Sequence, residues 1–186
     1  MNLQNLPGRM GPKGPVAAIV VMGVTGCGKT VVGEAIARLL GWLFIEGDRL
    51  HPSENVSKMS RGEPLTDADR EGWLNAIGAA IAGGTKDGNG VVAACSALKR
   101  QYRDRLRSFE PNILFVHLAI DRETAWERVS SRKDHFMPAS LVDSQFAALE
   151  PPQADEFAMN LNGLETIDVL STLAVDRALA GQRQPI

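Results

Sequence analysis

The octapeptide Gly23-Val24-Thr25-Gly26-Cys27-Gly28-Lys29-Thr30 constrains this chain more than any other stretch. It fits the pattern G-x-x-x-x-G-K-[ST], and its flanks agree: the apolar run Ala17 to Met22 leads into it, and Ile36, Leu39 and Leu40 follow at helical spacing. Strand, loop and helix in that order bring backbone N–H groups and the positive end of a helix to one point, where an anion is favoured. Glycines permit the tight turn that such a cradle needs. The pattern predicts a phosphate-binding loop made of Gly23, Val24, Thr25, Gly26, Cys27, Gly28, Lys29 and Thr30. Lys29 is expected to reach the β- and γ-phosphates, and the Thr30 hydroxyl to coordinate Mg2+.

Beyond the loop the alternation continues. Gly41 closes the first helix, and Trp42-Leu43-Phe44-Ile45 reads as a second strand running into Glu46-Gly47-Asp48. Residues 51–62 place Pro52 where a first helical turn tolerates it, with Asn55, Lys58 and Met59 at helical spacing. Thr66, with Asp69 three residues on, has the pattern of a capping box for a helix through Trp73, Leu74, Ile77 and Ile81, which Gly83 and Gly84 are expected to stop. Val91 to Cys95 reads as a third strand, Ser96 to Ser108 as a basic helix, and Ile113 to Ile120 as a fourth strand. Asp121 then caps a helix bearing Trp126 and Val129. A polar stretch, Ser131 to Gln145, a fifth strand near Phe157 to Leu161 and a helix from Leu164 to about Leu179 complete the pass. Trp73 and Trp126 both fit apolar helix faces and are assigned to the core. The alternation predicts an α/β fold with a parallel sheet covered on both faces and ligands at the carboxyl ends of its strands. The 186 residues suit one domain, residues 16–186, behind a mobile tail, residues 1–15, rich in Gly, Pro and Asn.

Composition narrows the partners. A net charge of −2 and the lack of a basic stripe argue against nucleic acid and against a polybasic membrane anchor. No apolar run is long enough to span a bilayer, and the first fifteen residues lack the apolar core of a secretory signal, so the cytoplasm is the expected location. Cys27 and Cys95 are too sparse for a disulfide framework or a zinc site and read as reduced thiols.

A phosphate loop alone does not separate a GTPase switch, a motor ATPase and a small-molecule kinase. The guanine-reading N/T-K-x-D run is absent, and the third strand ends in Cys95-Ser96 rather than in a metal-holding acid. Asp121 ends the fourth strand but stands where a helix N-cap is needed. Glu46 and Asp48 are therefore the acids best placed for metal and acceptor. Two apart in an extended segment, they would face one side, one toward metal-bound water and one toward a substrate hydroxyl. His51, Lys58 and Arg61 follow, and Ser96, Lys99 and Arg103 start the segment after the third strand. These residues are either solvated and structural or a clamp for the carboxylate and hydroxyls of an acceptor. Arg128, Arg132, Lys133 and His135 fall beside or within residues 131–147, read as a lid over ATP, where Arg132 would stabilise transferred charge.

With these stretches in hand, the chain resembles the gluconokinases, small phosphate-loop kinases that phosphorylate D-gluconate to 6-phospho-D-gluconate. The likeness runs from Val16 to Leu179, through MGVTGCGKT, EGDRLHPSENVSKMSRGEPLTDADR, ACSALKRQYRDRLR and RKDHFMPASLVDSQFAALEPP. The resemblance implies a five-stranded parallel sheet with a nucleotide-covering lid, ATP and Mg2+ as requirements, and a homodimer. By similarity to shikimate kinases, it also implies Glu46 on the metal side and Asp48 beside the acceptor hydroxyl. Two positions depart from the family's usual residues: Glu46 stands for aspartate and Cys27 for serine. One reading of a thiol beside a helix N-terminus and Lys29 is that it is acidified and open to oxidation, with Cys95 as its partner if the two thiols lie close; the other is a small residue packed in the loop. Rival functions are a shikimate or nucleoside monophosphate kinase, or a nucleotide-binding regulatory module that transfers nothing.

Overall fold

Five apolar runs pair into one parallel sheet in a computed structural model that describes residues 15–86, 88–131 and 141–180. The strands are β1 (Ala18–Met22), β2 (Leu43–Glu46), β3 (Val91–Ala94), β4 (Ile113–Ala119) and β5 (Ala158–Asn162), in the spatial order β2-β3-β1-β4-β5. Register is set along the centre by Val20 opposite Ala93 on one side and Phe115 on the other. Residues 1–14, most of the expected tail, lie outside the described residues.

Parity divides the core. Ile19, Val21, Val92, Leu114 and Val116 face one side and pack with Ile36 of α1 (Lys29–Leu40), Ala125 and Val129 of α5 (Arg122–Ser130), Val142 of α6 (Leu141–Ala148) and Leu170 of α7 (Ile167–Ala180). Ala18, Val20, Met22, Ala93 and Phe115 face the other, against Trp73, Ile77 and Ile81 of α3 (Asp67–Thr85) and Leu106 of α4 (Arg100–Phe109). A strand buried on both faces reads as a continuous apolar run because neither face can tolerate a polar side chain. Helix α2 (Ser53–Ser60) stands beyond the end of β2 and is reached through a 3-10 turn, Gly47–Leu50.

Several local expectations hold. Thr66 and Asp69 form a reciprocal capping box, and the Asp121 carboxylate accepts the Thr124 N–H at 2.7 Å. Others change. Gly83 and Gly84 do not stop α3, which runs to Thr85. The reason for glycine there is packing: a Cβ on Gly84 would come within 2.6 Å of Val91 Cγ2. Trp126 is 54% exposed and not in the core. The buried stripe of α5 is Ala125 and Val129, four apart, and Trp126 is turned about 100° off that line. The basic helix starts at Arg100 rather than Ser96, because Ala97 takes a positive φ of 41° that a helix cannot include. The stretch after Ser131 contains α6, whose residues the apolar period did not mark.

Candidate active site

The loop after β1 turns on three glycines with positive φ, at 137°, 81° and 97° for Gly23, Gly26 and Gly28. Crowding adds a second reason for two of them. A Cβ on Gly23 would meet Leu118 O at 2.9 Å, and one on Gly26 would meet Ala125 O at 3.0 Å. Gly28 caps α1, whose first turn has no acidic residue, so the helix's positive end is free to favour an anion. Three consecutive loop residues are tied by side chains: Lys29 Nζ donates to Val24 O at 3.0 Å, Thr25 N donates to Gln145 Oε1 at 2.7 Å, and Arg128 Nη1 donates to Gly26 O at 3.3 Å.

Thr30 and Glu46, both expected on the metal side, come together. Thr30 Oγ1 donates to Glu46 Oε2 at 2.7 Å, so a hydroxyl and a carboxylate, both hard oxygen donors, converge beside the loop. Glu46 and Asp48 do not face one side as an extended segment would have them. Gly47 starts the 3-10 turn between them, and the carboxylates separate, Glu46 toward Thr30 and Asp48 into an open pocket. Gly47 is required there because a Cβ would lie 2.3 Å from Ala94 O. The turn is also pinned by Trp73, whose indole N–H donates to Gly47 O at 2.8 Å.

The pocket is lined by Lys29, Asp48, His51, Arg70, Ser96 and Gln145, with Met59, Leu65 and Leu141 supplying an apolar wall. His51 stacks on Trp73, ring centroids 4.2 Å apart and 9° between planes, and its Nδ1 is buried with no partner among the described residues. Burial lowers its pKa to about 4; Asp48 works against that shift and Arg70 adds to it. His51 is thus a neutral ring, with one nitrogen to donate a hydrogen bond and one to accept. A base depressed in the folded state adds stability that is complete above the unfolded value near 6.5 and is lost as pH falls through 4. Denaturant unfolding between pH 7 and pH 4 should therefore show a shallower acid slope in His51→Phe than in the parent. An unchanged slope would count against a neutral His51.

The other cations expected to grip an acceptor are already paired. Lys58 Nζ sits 2.6 Å from Asp69, whose carboxyl it helps hold down at about 2, and Arg61 pairs with Glu63 at 2.8 Å. Lys99 Nζ meets Asp67 at 2.7 Å; with the Tyr102 hydroxyl, which also donates to that carboxylate, it holds Asp67 at about 2. Arg103 is fully buried against Glu156. Arg132 and His135 lie outside the described residues. The two thiols are both buried, but Cys27 packs on one face of the sheet and Cys95 on the other, and burial pushes the Cys95 thiol up to about 12. That arrangement favours the packed reading over a redox pair.

Arg70 was missed. It makes no ion pair among the described residues, and its guanidinium carbon stands 5.9 Å from the centre of the Tyr102 ring, at the pocket wall. The sequence did carry a signal for it. Arg70 precedes Trp73, Leu74 and Ile77 at i+3, i+4 and i+7, so it extends the buried stripe of α3 with a charge at the ligand end.

Comparison with known proteins agrees with this geometry. Residues 25–154 match the shikimate kinase family model. A gluconokinase from Gluconobacter oxydans is 49% identical over 152 residues, covering 82% of this chain and 85% of its own. A thermosensitive gluconokinase of Escherichia coli is 48% identical over 75% of this chain and 74% of its own. The crystal structure of a gluconokinase from Sinorhizobium meliloti superposes with a TM-score of 0.76 at 45% identity, covering 91% of this chain and 93% of that one. Loop, acid pair, sheet order and these relatives together establish that the chain belongs to the gluconokinase family of phosphate-loop kinases.

Proposed function

We propose that this protein transfers the γ-phosphoryl group of ATP to the 6-hydroxyl of D-gluconate. The observation that carries the reading is one pocket holding Lys29, Asp48 and Arg70, where a phosphate ligand, a proton acceptor and a cation with no ion pair among the described residues meet. D-Gluconate has a carboxylate at one end and a primary hydroxyl at the other, so Arg70 on the former presents the latter to Asp48. Asp48 accepts the proton as the hydroxyl oxygen bonds to the γ-phosphorus, while the bond from that phosphorus to the β–γ bridging oxygen breaks. Lys29 and the loop N–H groups meet the charge on the phosphates, and His51 accepts or donates one hydrogen bond to a chain hydroxyl.

Thr30 and Glu46 are the residues that would hold Mg2+, which when bound neutralises phosphate oxygens. Among the described residues no three His, Cys, Asp or Glu side chains gather at one point. That suits an ion which keeps water and substrate phosphates as ligands. Exposed Leu164, Ile167, Val169 and Leu173 support a homodimer formed through the α7 side. Among the described residues no helix is long and apolar enough to cross a membrane, which is compatible with a cytoplasmic enzyme.

A coupled assay for ADP release tests the reading. Gluconate should be preferred over shikimate and over nucleoside monophosphates, and ATP binding without acceptor-dependent ADP release would overturn it. In Arg70→Met the KM for gluconate should rise by about 10- to 100-fold, the value of a lost hydrogen bond to a charged group, with the KM for ATP within about threefold. An unchanged gluconate KM would remove Arg70 from the acceptor site.

A further inference from the structure

We propose that Gln145 is a positioning residue that joins the phosphate loop to the acceptor pocket, so that filling either site raises affinity at the other. The proposal rests on the kinase reading above and extends it to how the two substrates influence each other. Two observations carry it. Gln145 Oε1 accepts the Thr25 N–H at 2.7 Å, a buried bond spanning 120 residues of sequence. The same side chain, with Leu141 and Ser144 of α6, lines the pocket that also holds Asp48 and Arg70.

Thr25 is 2% exposed, so no bulk water replaces the Gln145 carbonyl if it moves away. The amide would then be left unpaired, which makes this bond the costly one to break. On one side of Thr25, Val24 O receives Lys29, and on the other Gly26 O receives Arg128 from α5. Lys29 also lines the pocket but belongs to the loop itself, and Arg128 does not line it, so of these three bonds the one from α6 ties the loop to a pocket-lining side chain of another element. An acceptor seated against Ser144 and Gln145 limits the motion of that end of α6. The Gln145 carbonyl then holds the Thr25 amide, and with it the loop that receives phosphate. Ordering of the loop is completed by the first ligand, and the second binds without that loss. Linkage makes the effect reciprocal.

Titration calorimetry tests this with magnesium ADP and D-gluconate, which form a complex that cannot turn over. In the parent protein saturating gluconate should tighten ADP binding by about fivefold or more, the low end of such couplings. In Gln145→Met, which keeps bulk and removes the acceptor atom, the factor should fall to within about twofold of unity. A side chain that only stabilised the fold would change both affinities and leave their ratio alone. A parent-like factor in Q145M, or a factor of one in the parent, overturns the proposal. If Q145M does not fold, hydrogen exchange on the parent protein decides. Gluconate alone should slow exchange of the Thr25 amide, and no change in that amide overturns the coupling. A parent protein that does not bind gluconate at all would instead refute the kinase reading.

Discussion

Lys29→Ala should lower turnover on gluconate by roughly 100-fold or more, the scale on which a lost electrostatic stabiliser acts, with little change in stability. Both halves of that expectation come from the geometry. Lys29 stands at the first position of α1, half-buried, and among the described residues its ammonium makes one hydrogen bond, to Val24 O of its own loop at 3.0 Å. Among the described residues it has no carboxylate partner, so its charge is available to phosphate oxygens. Removing one partly exposed hydrogen bond costs the fold about 1 kcal/mol. The γ-phosphoryl oxygens, by contrast, lose a cation at the moment their charge is redistributed, and water cannot reproduce a fixed ammonium. Steady-state kinetics together with thermal melting checks the split. Turnover within about threefold of the parent would exclude the assigned role, and a melting temperature lowered by tens of degrees would mean that Lys29 holds the loop together.

Arg103→Met should behave in the opposite way, destabilising the protein by about 3 to 5 kcal/mol while leaving the gluconate KM of the folded protein near that of the parent. Arg103 read from sequence as one half of a basic clamp on α4. In the fold its Nε and Nη2 donate to Glu156 at 2.7 and 2.6 Å, and its Nη1 donates to the carbonyls of Ala97, Leu98 and Glu150. Both members of the pair are 1% exposed. Methionine fills part of the volume but leaves Glu156 with the Gln153 N–H at 3.2 Å and the longer contacts from Arg107 at 3.3 Å, and without its two short charged bonds. A buried carboxylate short of its partner is the reason for the large cost.

The double variant Arg103→Met/Glu156→Leu should recover part of the loss, since a buried ion pair replaced as a pair is often close to neutral. pH supplies an independent check. Burial alone would raise the Glu156 carboxyl, but its bonds to Arg103, with smaller help from the Gln153 N–H and the Arg107 charge, hold it below the ordinary value. A carboxylate lowered in the folded state contributes stability above the unfolded value of about 4.3 and loses it as pH falls through the folded value. The parent should therefore lose stability more steeply than R103M as pH drops below about 4. A gluconate KM raised tenfold in R103M with unchanged unfolding would restore Arg103 to the acceptor site.

Legibility followed the range of the interaction. Thr66 with Asp69 and Asp121 with Thr124 are bonds between residues three apart, and both were read correctly. The strands were legible because burial on both faces leaves an apolar run no other use. Trp126 was misplaced because one exposed tryptophan on a short helix looks like any buried one until the partner surface is known. Gly83 and Gly84 look like stop signals in isolation, and only the approach of Val91 shows that a helix passes through them.

By itself, the sequence determined the phosphate loop and the parallel sheet, since each depends on neighbours in the chain or on strands that end at one edge. Tertiary structure alone decided which of the cations are paired with carboxylates. Lys58, Lys99 and Arg103 find carboxylates 11, 32 and 53 residues away, and Arg70 finds none among the described residues. A charge is free or neutralised according to what folding brings beside it, and the local pattern around a lysine or arginine holds no record of that partner.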